Sequence, residues 1–408
     1  MDTNWKIIAG IVGAGIVASG LIIWVVFFKT PTFTPDTTPQ QFGNSETRTS
    51  SGVGNTSGIN AAQSITESVI NTTKVFKIAN GPVAGATLMQ TLRPATSTVV
   101  RFVLANNGHI FDLVLDSPGT VAKPRSNTTI PGVLRTVWSE KGRGALVQYI
   151  DGGVIKTAHL ALPSAEATTT TPVRIEFLQQ GIVNLDVSPD GASVTYLIKT
   201  ANGSDIYTAG ANGSNIKKLL SLPFSELQIS WPAQGTLLAQ TNSATGIPGV
   251  VFSIDAKTGA SAPLVYASGL TAIADRTFGR VVYQTANESR STYSQNVKTG
   301  LATPLSFDPI PELCRWSNAT STTLYCATPI SYVAANYLDL WHMGAASAAS
   351  TILKFDLAKG GSTIIASPGG VDGGEQSSIA ELAVSPDDSY LLFIRTGDRS
   401  LWGVRLKK

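Results

Sequence analysis

The sequence predicts an all-β protein: a β-propeller of about seven four-stranded antiparallel blades, preceded by one N-terminal transmembrane helix and a disordered tether. Three observations carry this prediction. Hairpin signals recur along almost everything after residue 80, the residues preceding the first turns recur at a near-constant interval, and one long uncharged run lies near the N-terminus.

The hairpin signal is densest in 185–222, "LDVSPDGASVTYLIKTANGSDIYTAGANGSNIKKLLSL". A Pro-Asp-Gly turn follows "LDVS", and Asn-Gly pairs at Asn202-Gly203 and Asn212-Gly213 separate alternating apolar runs. Asn-Gly between such runs is a strong short-range hairpin signal, so the unit is an antiparallel meander of four strands. The residues before each first turn are Trp138, Val187, Trp231, Ile273, Trp316 and Val384, at successive spacings of 49, 44, 42, 43 and 68 residues. A four-stranded blade needs roughly 40–50 residues, and the last interval carries an insertion of roughly 25. A further unit fits "VVRFVLANNGHIFDLVL" at 99–115, bringing the count to seven, with six or eight also compatible.

The run "VSPDGASVTYLI…SDIYTAGANGSNIKKLL" resembles the WD40-like repeats of TolB-type β-propellers, and "LAVSPDDSYLLFIRTGDRSLWGVRL" at 382–406 repeats its Ser-Pro-Asp turn. The resemblance implies a propeller that binds proteins or other large ligands and carries over no catalytic residue. Closure offers an independent check on the count. The last unit has strands at 379–384, 390–396 and 400–406 and lacks a fourth, which "KVFKIA" (74–79) can supply. Pairing the first and last segments in one blade removes exposed edges.

The chain therefore divides into an anchor (1–29), a Thr/Ser/Pro/Gly-rich linker (30–73) and the propeller (74–408), the last with an insertion at 327–350. Residues 7–28 are 22 consecutive uncharged residues between Lys6 and Lys29. At 1.5 Å per residue they span about 33 Å, enough to cross a bilayer core. The run is longer than a cleavable signal region, which favours a retained anchor over a signal peptide. Residues 30–73 hold only four charged residues, Asp36, Glu46, Arg48 and Glu67, in a composition that cannot bury a core. Nothing basic enough to retain the rest inside follows the helix, so the N-terminus is expected in the cytoplasm and the propeller outside it.

Composition narrows the function. The 30 basic and 27 acidic residues are spread without long runs, which excludes a nucleic-acid footprint. The two cysteines, Cys314 and Cys326, fall on adjacent strands of one blade and are candidates for a disulfide in an oxidising compartment, the alternative being two buried thiols. His109, His159 and His342 lie in separate units, where structural hydrogen bonding is the expected role. Asp190, Asp387 and Asp388 read as turn formers. Asp372 and Glu375 in "PGGVDGGE" read as a solvated loop. No metal motif, phosphate loop or nucleophile elbow is present, and the chain reaches Lys408 without room for an α/β catalytic domain. Neither a cofactor nor a metal is expected.

The insertion carries Tyr332, Tyr337, Trp341, His342 and Met343, a candidate binding surface because long loops in compact domains tend to be functional and Tyr and Trp anchor interfaces. The competing expectation is that the insertion folds down as a plug and buries its aromatics. The chain thus reads as a membrane-anchored, extracytoplasmic propeller, not an enzyme, that binds or scaffolds a protein or envelope component. The alternatives are a subunit of a larger cell-envelope assembly and a metal-dependent hydrolase or lyase using the central channel.

Overall fold

A computed structural model describes residues 74–407 except 92–95, 118–119, 127, 163–172, 332 and 368–376. The anchor expected at 7–28 and the tether at 30–73 lie outside the described residues, as do Tyr332, Asp372 and Glu375. Within the described residues, seven four-stranded antiparallel sheets form a propeller. Blades 1 to 6 run in order over 83–126, 133–177, 182–222, 227–268, 271–304 and 314–366. Blade 7 takes three strands from 379–405 and its fourth, Val75–Ala79, from the start of the domain. The six residues that set the expected period, from Trp138 to Val384, all lie on first strands.

Closure occurs where it was expected. Val75–Ala79 pairs with the last strand, Leu401–Arg405, with Val75 opposite Val404 and Phe76 opposite Gly403. The apolar core is divided into seven wedges, one between each pair of neighbouring blades, so each blade is buried on both faces. The wedge between blades 7 and 1 joins Phe76, Ile78 and Leu392 to Phe102 and Leu113. Because burial is two-sided, the second strands read as near-continuous apolar runs, "VVRFVL" and "YLLFIR" among them.

Polar side chains bridge the wedges near the axis. Asn184 and Asp186 of blade 3 accept hydrogen bonds from the Ile229 and Trp231 amides of blade 4, at 3.1 and 2.8 Å. Gln240 of blade 4 accepts from the Ala272 amide of blade 5 at 2.8 Å. Each such bond satisfies a backbone donor that the first strand would otherwise present unpaired toward the next blade.

The turn residues behave as their chemistry dictates, with one difference. Asp190 accepts from the Ser188 hydroxyl at 2.6 Å and the Ala192 amide at 3.0 Å, closing its own turn, and Asp387 does the same with Ser385 and Ser389. Asp388 instead reaches into blade 6, where the Ser317 hydroxyl and the Asn318 amide donate to it. It holds a φ of 54° at the position where the blade 3 turn has Gly191 at 77°. A left-handed aspartate carries some strain, and here its carboxylate is also what links blades 6 and 7.

Cys314 and Cys326 are direct register partners on the first two strands of blade 6 and form a disulfide. Such a short loop contributes about 2–3 kcal/mol, chiefly by restricting the unfolded chain.

Candidate functional site

The axial end of each first strand determines what faces the channel. In blades 1, 2, 3 and 7 the pairing of first and second strands slips by one residue near its start, at Val83/Gly85, Val133/Arg135, Ile182/Asn184 and Ile379/Glu381. A bulge re-aims the residue that follows it. Gly85 uses the position for close approach, since a Cβ there would meet Thr136 of blade 2 at 2.9 Å. In blades 2, 3 and 7 the same position carries a polar or charged side chain: Arg135, Asn184 and Glu381.

These residues converge. A cavity of about 390 Å³ in the ring's centre is lined by Arg135, Asn184, Asp186, Gln228, Glu312 and Arg315, with Trp316 beside them. The lining therefore comes from blades 2 to 6, while the charge of Glu381 reaches Arg315 from blade 7. Arg315 is enclosed by the ring, yet its side chain keeps an accessible surface inside the channel, which accordingly is wide enough for solvent. Enclosure still pushes its guanidinium below the usual arginine range, with Glu381 and Asp186 opposing that shift. Asp186 is pushed above the usual carboxylate range by burial, partly offset by the Trp231 and Val187 amides that donate to it.

The insertion between the second and third strands of blade 6 covers one side of the channel mouth. It forms a short helix, Tyr337–His342. Three contacts hold it: the Thr245 amide donates to Asp339 at 3.0 Å, the Thr245 hydroxyl donates to the Ala335 carbonyl at 3.3 Å, and His342 Nε2 pairs with Glu312 Oε2 at 2.6 Å. Tyr337 is 5% exposed and packs with Val333 and Leu338 in the wedge between blades 6 and 7, its hydroxyl accepting from the Ala348 amide. Trp341 is half-buried against the same wedge, and Met343 is 68% exposed. The insertion's candidate residues thus divide: Tyr337 packs as a plug, while Trp341, His342 and Met343 border open space. Trp341 and His342 line a cleft of about 670 Å³ together with Glu381 and Arg399.

The His342–Glu312 pair gives this cover a pH dependence. Glu312 raises the imidazole above its ordinary value, burial opposes the shift, and Asp339 on the same helix adds to it. Glu381 and Arg399 are the charged groups lining the cleft beside it. A raised folded-state value means the stabilisation is complete below about pH 6.5 and is lost as pH rises through the folded value. The pair is partly exposed, so the effect is about 1 kcal/mol or less. Protection factors of the 337–342 amides, corrected for the intrinsic exchange rate at each pH, are expected to be higher at pH 5.5 than at pH 8.5, and His342→Gln is expected to flatten that difference. The Trp341 ring lies 5.3 Å from His342 and gives a fluorescence readout of the same transition.

Two histidines remain. His109 bonds Thr129 at 3.2 Å. His159 lies between Ser139 (Nε2 to Oγ, 3.1 Å) and Glu176 (Nδ1 to Oε2, 3.2 Å), the order of a nucleophile, base and orienting acid. Ser139 is 0% and His159 1% exposed, so no substrate reaches the hydroxyl and the relay ties three strands of blade 2 together. Sequence reading missed this arrangement because its members are 20 and 17 residues apart with no motif between them. Among the described residues no group of three His, Cys, Asp or Glu could hold a metal ion, and no helix is long and apolar enough to cross a membrane.

The fold and the charged channel mouth define a seven-bladed propeller closed by its own N-terminal strand, in accord with the TolB-type resemblance of 185–220. No family model and no curated protein matches the sequence. Solved structures do match in fold. A puromycin hydrolase is 15% identical over 76% of this chain and 51% of its own, with a TM-score of 0.50. A chain of the mitotic checkpoint complex is 13% identical over 81% and 96%, at 0.51. TolB from Acinetobacter baumannii is 11% identical over 68% and 61%, at 0.43. This chain spans about half the length of the puromycin hydrolase, and at these identities the likeness is one of architecture and transfers no active site.

Proposed function

We propose that this protein is a membrane-anchored propeller that binds or scaffolds a protein or envelope component on the outer side of the membrane. The observation that carries the binding reading is the charged mouth of the channel: a rigid ring presents Arg135, Arg315, Glu381 and the half-roofed cleft of Trp341, His342 and Arg399 on one face. Loops and bulges on a rigid frame are where binding residues concentrate. The disulfide of blade 6 and the uncharged run at 7–28 support the extracytoplasmic, anchored placement.

The test is site-specific photocrosslinking of the full-length chain in native membranes. A crosslinker at Met343, at the edge of the mouth, is expected to yield a discrete adduct. One at Tyr266, exposed on the outermost strand of blade 4, is not. Identical adduct patterns from both positions, or none from Met343, would sink the reading. Protease added outside intact cells or spheroplasts is expected to degrade the propeller; protection would overturn the placement.

A further inference from the structure

We infer that the channel cavity is a binding site for an anionic oxygen group, a carboxylate or a phosphate, held between Arg135 and Arg315. The inference rests on which charges in the cavity are already committed. Glu312 is taken by His342 at 2.6 Å and by the Thr271 hydroxyl at 3.1 Å. Glu381 accepts from Arg399 at 3.2 Å. Asp186 spends one oxygen on the Val187 amide and the other on the Trp231 amide, each at 2.8 Å.

The two arginines are not committed in this way. Arg315 donates only to backbone carbonyls, of Cys314 at 2.7 Å and Glu312 at 3.4 Å. The Arg135 side chain makes no hydrogen bond or close ion pair among the described residues, and its charge acts only at longer range, on Asp186 and Arg315. A guanidinium offers five N–H donors in a planar fork that matches a carboxylate or phosphate edge, so most of this capacity faces the cavity unspent. When His342 is protonated the Glu312–His342 pair is neutral, as is Glu381–Arg399, and Asp186 against the two arginines leaves the remaining cavity charge at plus one. Arg135 and Arg315 repel each other, and enclosure disfavours the Arg315 charge. An entering oxyanion relieves both effects, whereas a cation would add to them. The volume of about 390 Å³ is that of a small-ligand pocket.

Trp316 lines the same cavity, next to Arg315 in sequence, and supplies the readout. The full-length protein is titrated with sodium phosphate and with sodium acetate at pH 7, each against sodium chloride at matched ionic strength, and tryptophan fluorescence is followed. A saturable response to phosphate alone assigns the site to phosphoryl groups. A response to acetate, alone or with phosphate, assigns it to carboxylates such as a peptide terminus or acidic side chain. In either case Arg315→Gln and Arg135→Gln are each expected to weaken binding about tenfold or more. The inference is overturned by the absence of a saturable response, by an equal response to chloride, or by wild-type titrations in both variants. Should Arg315→Gln lower the melting temperature, Arg135→Gln decides, because its side chain has no internal bond among the described residues to lose. The outcome does not depend on membrane placement or on the crosslinked partner, so this inference and the binding-module reading fail separately.

Discussion

Replacing Phe76 by alanine is expected to lower the unfolding free energy by about 3–5 kcal/mol, the range for removing a fully buried aromatic ring. Phe76 is 0% exposed and belongs to the strand that closes the ring, so its loss falls on the one blade assembled from both ends of the domain. Its register partner is Gly403, where a Cβ would lie 2.5 Å from ring carbons Cε2 and Cζ of Phe76. The two residues are therefore shaped to each other. Gly403→Ala alone should destabilise by about 1–3 kcal/mol through overpacking. In the Phe76→Ala background the same change meets a cavity and should cost nothing or stabilise. Chemical denaturation of the four proteins of this cycle measures the coupling, and additive effects would show that closure does not depend on this contact. A second readout follows from topology: if the first strand detaches, the edge of Leu401–Arg405 is exposed, and the Phe76→Ala protein should self-associate more readily near its midpoint.

How much of this was legible in the sequence depends on the length scale of each signal. The blade period was, because first strands bury one face against a neighbouring blade at a fixed depth, and Trp138, Trp231 and Trp316 mark that depth in alternate blades, 93 and 85 residues apart. The closing strand was legible because a missing fourth strand is a gap in a count. The cysteine pair was legible because a hairpin fixes which residues oppose each other. The first strand of blade 1, Val83–Thr91, was not identified on its own, since "VAGATLMQT" breaks alternation at Gly85 and carries no turn signal. The channel site was invisible for a related reason. Arg135, Asn184 and Glu381 owe their direction to one-residue bulges, which leave no trace in composition or periodicity. Arg315 sits in a three-residue strand, too short for any pattern, and its neighbours on the axis come from other blades. The insertion drew notice by length and aromatic content, yet only packing could divide it into Tyr337, which is core, and Trp341 and Met343, which border open space.

The largest electrostatic effect is expected away from the channel, at Asp112. Arg101 and Asp112 are cross-strand partners in blade 1, joined by Nε to Oδ1 and Nη2 to Oδ2, both at 2.6 Å. The third nitrogen, Nη1, donates to the Gly142 carbonyl in the turn that follows the first strand of blade 2. Arg101 is buried, and Arg125 on the adjacent strand lies 3.3 Å from the same carboxylate. Asp112→Ala therefore leaves one enclosed guanidinium uncompensated with a second nearby, and a loss of about 3–5 kcal/mol is expected. Attraction between the charges is not the reason. Their mutual energy is largely offset by the cost of removing both from water, so the penalty of the single variant measures a stranded charge. The double variant Arg101→Met, Asp112→Leu separates these contributions: it should recover most of the loss, falling short by about 1–3 kcal/mol for the Gly142 carbonyl left without its donor. Urea midpoints of the two proteins decide the matter. A double variant as unstable as Asp112→Ala would mean that the ion pair itself, rather than its completeness, holds blades 1 and 2 in register.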